Sequence, residues 1–234
     1  MQKEPQKELL IGKHVVLDRV QEDGIRKYIT PDGDKVPSVT TILDATKDKT
    51  HLDEYIKRVG KTYADQVVLE ASSNGTRMHK FLERFVLDGV WPQPGSNPYS
   101  KKANQMAKRI HDEFLVDCDS YIGSEVTVYI PKLYAGTTDL VAIYRGNMCV
   151  VDFKQSNKPK KSEWVDDYRY QLVLYIEAYN NMYNTNICEG HIVMCCADLT
   201  YQQFDILPNQ FKYWRNKALD RVYEYYQNWY TTKY

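Results

Sequence analysis

The chain has 234 residues, 43% of them hydrophobic and 26% charged, which suits one sizeable globular domain. No apolar run approaches the length of a membrane span. Its 31 basic and 31 acidic side chains give a formal net charge of zero. That balance lacks the basic excess usual in a nucleic-acid binder, although a site built from carboxylates offsets basic patches in the sum.

The opening "MQKEPQKELLIGKH" mixes acids with bases and has no hydrophobic segment, so it reads as neither a secretory signal nor a transit peptide. The expectation is that the chain stays where it is made, in a bacterial or phage-infected cytoplasm; a trimmed protein of the mitochondrial matrix would look the same. Next, "KHVVLDRV" predicts a strand. "IRKYITPDGDKVPSVTTIL" predicts a strand, a turn at "PDGD" and a helix with Ser38 as its N-cap. From about 44 to 117 the pattern is helical. Met78, Phe81, Leu82 and Phe85 share one side of "SSNGTRMHKFLERFVLDG", and Met106, Ile110 and Phe114 repeat the spacing. The loop "GVWPQPGSNP" divides the two runs.

The pattern then switches to strands: "SEVTVYI", "GTTDLVAIY" and "NMCVVDFK". A long helix, "SEWVDDYRYQLVLYIEAYNNMY", follows, then strands "EGHIVMCCA" and "TYQQFDI", then a last helix over about 208–231. The order predicts one α/β domain: a mixed sheet core over about 120–205, flanked by helices, with a helical region before it. Twenty tyrosines outnumber six phenylalanines, so many rings carry a hydroxyl to a surface or groove. The five cysteines, Cys118, Cys149, Cys188, Cys195 and Cys196, contain no Cys-x-x-Cys pair and signal neither a disulfide framework nor a zinc site. Cys195 and Cys196 adjoin on a strand, so they should face opposite sides. No iron–sulfur cluster is expected.

The chemistry concentrates at "AGTTDLVAIYRGNMCVVDFKQS". Residues two apart in a strand share a face, so Asp152 and Lys154 point the same way. Asp139 sits on the preceding strand of the hairpin, within reach of the same space. Two carboxylates with a lysine suit a hard cation such as Mg²⁺ and the hydrolysis of a phosphodiester. Taken alone, such a triple also describes many strand ends whose charges are merely solvated or paired. Three features add to it. His79 and Glu83 stand four apart on one helix face, where an imidazole would tilt a carboxylate site toward Mn²⁺. Gln171 and Tyr175 stand four apart on the helix after the lysine, while Leu172, Val173 and Ile176 pack on the sheet. "QSNKPKKSEW" supplies Ser156, Lys158, Lys160 and Lys161, either as a grip on a nucleic-acid backbone or as a solvated run. In the helical region, Lys57 with Lys61 and Lys101 with Lys108 read as basic pairs, each on one helix face.

In this order, "GTRMHKFLE", "YAGTTDLVAIYRGNMCVVDFKQSNKP" and "QLVLYIEAYN" resemble the PD-(D/E)XK nuclease superfamily, in its branch of RecB-type exonuclease domains. The likeness runs from "PSVTTIL" through the final helix. It implies a restriction-endonuclease-like fold whose helical region arches over the substrate. It implies catalysis by Asp139, Asp152 and Lys154, with Mg²⁺ or Mn²⁺ held by His79, Asp139, Asp152 and the backbone carbonyl of Phe153. Substrate contacts are expected from Ser38, Thr76, Ser156, Lys158, Gln171 and Tyr175, and from the basic Lys57 and Lys61. Glu83 and Glu125 match acidic positions without an assigned ligand role. The implied partner is single-stranded DNA with a free end, cut by a monomer in replication, repair or recombination. Two alternatives stand beside it: a structure-specific or double-strand nuclease of the same superfamily, and a DNA-binding module with an unused site.

Overall fold

A computed structural model describes residues 14–22 and 24–233. The opening segment "MQKEPQKELLIGK" lies outside the described residues; of the strand expected over "KHVVLDRV", residues 14–17 are not strand, and the strand begins only at Asp18 and runs to Glu22.

Eight strands and six α-helices are described. Three short strands, β1 (Asp18–Glu22), β2 (Ile25–Ile29) and β3 (Lys35–Pro37), form a small antiparallel sheet. The expected "PDGD" turn joins β2 to β3, with Gly33 at φ 84° and its N–H donating to the Thr30 carbonyl. Ser38 caps helix α1 (Val39–Ala45), its Oγ accepting from the Thr41 N–H at 3.0 Å. Three helices follow: α2 (Thr50–Val59), α3 (Lys61–Asp88) and α4 (Pro98–Glu113). Asn97 caps α4, and Pro98 opens it where a missing N–H costs nothing.

The main sheet holds β4 (Cys118–Ile130), β5 (Tyr134–Tyr144), β6 (Asn147–Ser156), β7 (Gly190–Cys196) and β8 (Tyr201–Ile206), in that order. Every pairing is antiparallel except β6 with β7. Two parallel neighbours need a crossover, and helix α5 (Asp166–Tyr183) supplies it. Helix α6 (Pro208–Lys233) closes the chain. The architecture is the expected α/β one, a mixed sheet between helical layers. Strand β4 begins at Cys118, earlier than "SEVTVYI" suggested, because the stretch before it alternates buried and open positions as a strand does.

Each sheet face has its own core. On one, Val39 and Ile42 of α1, Leu172, Val173 and Ile176 of α5, and Ala218 and Val222 of α6 pack on Val126, Val141 and Val150. On the other, Met78 and Leu82 of α3 and Met106 and Ile110 of α4 pack on Leu140, Val151 and Val193, with Phe81 and Phe85 at the margin. Leu82 is fully buried, so truncating it to alanine would cost about 2–5 kcal/mol. The small sheet docks separately, through Leu17, Tyr28 and Val36 on Ala135 of β5. Cys195 and Cys196 do face opposite ways, each into a different core cluster. No described helix is long and apolar enough to cross a membrane.

Candidate active site at a strand fork

The β5–β6 hairpin pairs from Tyr144↔Asn147 down to Leu140↔Val151 and then stops. One step further the register would set Asp139 opposite Asp152, and two carboxylates facing each other across strands repel. The strands part there instead. The Phe153 N–H turns to Asp139, donating to Oδ2 at 2.6 Å. The fork opens into a cleft of about 630 Å³ walled by both sheets, α3 and α5.

Each element brings one part. Strand β6 carries Asp152, 2% exposed, and Lys154, whose Nζ lies 2.5 Å from Asp152 Oδ2. The two side chains form a buried ion pair. From α5, the Gln171 amide donates to Asp152 Oδ1 at 3.2 Å and to Tyr175 Oη at 3.0 Å, while its carbonyl accepts from Lys154 Nζ at 3.2 Å. Lys154 also stands 5.0 Å from the centre of the Tyr168 ring. From α3, His79 sets Nδ1 3.2 Å from Asp139 Oδ1, its ring edge-on to Phe153.

Strand β4 adds Glu125. Ser124 pairs with Leu140 and Val126 with Thr138, so Glu125 stands across from Asp139. Its backbone is left-handed, φ 52°, a conformation a side-chain-bearing residue seldom adopts and one that concentrates at functional sites. Ligand atoms of His79, Glu125 and Asp139 all lie within 4.8 Å of one another. Imidazole with carboxylate oxygens suits Mg²⁺ or Mn²⁺, and Asp152, its Oδ2 paired with Lys154, adds a buried carboxylate beside them.

The electrostatics record this crowding of acids. Desolvation raises Glu125 to about 7, with the Asp139 charge adding to it. Burial likewise pushes Asp152 up to about 6, against the pull of Lys154. Burial works against charge on Asp139 as well, but His79, Lys154 and the Phe153 N–H outweigh it and hold that carboxyl below the usual range. Burial would lower His79, yet Asp139 prevails and raises it. Lys154 is raised in the same way by Asp152 and Asp139.

The sites expected from sequence are thus placed as follows. His79, Asp139, Asp152, Lys154, Gln171 and Tyr175 meet at the fork, with Ser38, Thr76, Glu83 and Glu125 on the same cleft wall. The Ser38 hydroxyl is engaged in capping α1, and Thr76 Oγ1 donates to the Ser72 carbonyl. Ser156 is buried, donating to the Lys158 carbonyl at 2.7 Å, and the Lys158 side chain is exposed. One expectation is corrected: Lys57 and Lys61 do not share a helix face. Gly60, at φ 85°, ends α2 and starts α3 between them. Sequence reasoning also missed Arg19 and Arg26, which reach the cleft from the small sheet.

No protein-family model matches the chain. Over 207 residues, 81% of the chain, it is 30% identical to mitochondrial genome maintenance exonuclease 1 of Xenopus tropicalis; over 205 residues it is 29% identical to that of Mus musculus. The matches span 57% and 59% of those proteins, so the chain covers less than two thirds of their length. A crystal structure of a candidate exonuclease from Eubacterium rectale aligns over 68% of each chain at 15% identity, with a TM-score of 0.48. The chain resembles the mitochondrial exonucleases by sequence across most of its own length.

Proposed function

We propose, from this likeness and from the fork, that the chain is a metal-dependent deoxyribonuclease that hydrolyses single-stranded DNA from a free end. The observation that carries the reading is the meeting of His79, Glu125 and Asp139 within 4.8 Å beside the Asp152–Lys154 pair. Those residues, with Asp152 Oδ2, would hold Mg²⁺ or Mn²⁺. A bound divalent ion supplies Lewis acidity toward a phosphodiester oxygen and lowers the pKa of water. The protein's own groups do the rest. The Lys154 ammonium orients the attacking water and offsets negative charge that grows in the transition state. Gln171 fixes both partners of that pair with one amide, so neither side chain is free to rotate. Asp139 and Asp152 supply the negative charge that favours a divalent cation on the floor of the cleft.

The helices before the sheet are read as an arch under which a single strand threads. A duplex would not pass, and a strand without an end could not enter. Such an enzyme trims flaps and ends in replication, repair or recombination, in a bacterial or phage-infected cytoplasm or in the matrix of the mitochondrion, the organelle its relatives are named for. The test is cleavage of end-labelled linear single strands, blunt duplex and covalently closed single-stranded circles with Mg²⁺ or Mn²⁺. The reading expects linear single strands to be cut, blunt duplex poorly, and circles not at all. Rapid cutting of circles moves the reading to an endonuclease. Metal-independent binding without cleavage of any substrate moves it to a DNA-binding module.

A further inference from the structure

The cleft at the fork continues in two directions, and the two differ in charge. Toward α3 it passes into a shallow groove that shares Gly75, His79 and Lys154 with it and is walled by Val68, Ala71 and Phe153. The cationic side chains on that side are Lys154, committed to Asp152, and His79, committed to Asp139. Toward the small sheet, the cleft shares Arg19, Arg26 and Thr40 with a second hollow of about 560 Å³.

The two arginines are placed by strand register. Arg19 pairs with Tyr28, and Gln21 with Arg26, so both guanidinium-bearing residues share a face with Tyr28. Tyr28 is buried and fixes that face to β5, its hydroxyl 3.2 Å from Thr137 Oγ1, two residues before Asp139. The ring docks the sheet, and the arginines extend from the dock along the cleft wall. Both are exposed, and among the described residues neither guanidinium has an ion pair with a carboxylate. Arg19 is nonetheless near enough for its charge to act on Glu125. Two uncommitted, permanently charged forks on one sheet face beside the proposed nuclease site match the bidentate geometry of a phosphate.

We propose that Arg19 and Arg26 form a phosphate-binding subsite that takes a backbone phosphate of single-stranded DNA beside the scissile one. This rests on the nuclease reading and adds the side from which the strand is held. The substrate's phosphates lie along the small sheet, and the α3 groove, with no uncommitted cation, receives the less charged part of the cleaved nucleotide.

The test measures binding of a labelled single-stranded oligothymidine to the full chain in EDTA over a range of salt, for the wild type, R19Q/R26Q and R19K/R26K. Cleavage kinetics of the same proteins follow in Mn²⁺. R19Q/R26Q should weaken binding about tenfold and cut the salt slope by about 0.7, the value for one neutralised single-strand phosphate. It should raise KM with little change in kcat, and R19K/R26K should recover most of the salt slope. Unchanged affinity and slope in R19Q/R26Q overturn the subsite. A loss confined to kcat or metal affinity also overturns it, and makes Arg19 a counter-ion of Glu125. A wild type that cuts no nucleic acid while R19Q/R26Q still loses affinity defeats the nuclease reading and leaves the subsite standing.

Discussion

The Gln171 side chain spans Asp152 and Lys154, donating to the acid at 3.2 Å and accepting from the lysine at 3.2 Å. Lys154 can only donate and an ionised Asp152 can only accept, so these two partners set which end of the amide faces which, and the amide's third contact goes to Tyr175 Oη. Gln171→Glu keeps the acceptor for Lys154 but replaces the donor with a second carboxylate against Asp152. A hydrogen bond to a charged group contributes about 1.5–3 kcal/mol. The variant should therefore lose roughly 10- to 100-fold in kcat, with KM and binding in EDTA little changed. Wild-type turnover would remove Gln171 from the positioning role.

Asp152→Asn leaves the side-chain shape intact and removes a buried charge that the reading uses more in the transition state than in the ground state. Cleavage of linear single-stranded DNA should fall about 10³-fold or more, while binding in EDTA stays within a few-fold of wild type. An Asp152→Asn protein that cuts at the normal rate would contradict the assignment of the fork as a catalytic centre.

Gly136 lies under the Tyr175 ring, where an added Cβ would collide with Cε1. Gly136→Ala should push Tyr175 aside, and with it Gln171, although residue 136 itself carries no chemistry. The expected result is a folded protein with lower kcat, destabilised by about 1–3 kcal/mol. Denaturant unfolding together with single-turnover cleavage checks both parts. Unaltered kcat would show that Gln171 holds its place without Tyr175.

On β7, across from Val151, His191 is buried between two acids, with Nδ1 2.8 Å from Asp205 and Nε2 3.4 Å from Glu189. Burial opposes the charge of Asp205, but hydrogen bonds from His191 and Gln203 prevail and hold its carboxyl below the ordinary value. A depressed carboxyl adds stability that is fully present above the unfolded pKa of about 3.9 and is lost as the pH falls through the folded value. Asp205→Asn should destabilise the protein at pH 7 by about 1 kcal/mol or less and flatten the acid limb of its stability profile. Melting temperatures of both proteins from pH 2 to neutral, a range spanning the ordinary carboxylate pKa, provide the check; parallel curves would contradict the account.

Much of this arrangement was legible in the sequence because it is local. Strand alternation set Asp152 beside Lys154, hairpin connectivity brought Asp139 near, and helical spacing put Gln171 beside Tyr175. Ser38 announced a helix start, and the structure uses it as one. What escaped reading depends on long-range register. Glu125 could be noticed as an acid, but its position across from Asp139 follows from the β4–β5 pairing and a left-handed backbone that no propensity signals. Arg19 and Arg26 belong to a separate sheet whose docking surface is the buried Tyr28. Lys57 and Lys61 looked like one helix face because the helical period runs on through Gly60, whereas the backbone turns there.

The crossover from β6 through α5 to β7 also bears on how the molecule assembles. Asp139, Asp152, Lys154 and Gln171 all lie within one hairpin and the helix that follows it, so their contacts close short loops and cost little chain entropy. His79, Arg19 and Arg26 come from much earlier in the chain and can join only after long loops close. An early folding nucleus built on this unit would hold its acid and lysine already matched to each other. The imidazole and the guanidinium groups would arrive with the docking of the outer elements, and full affinity for a charged substrate would then be a property of the finished fold alone.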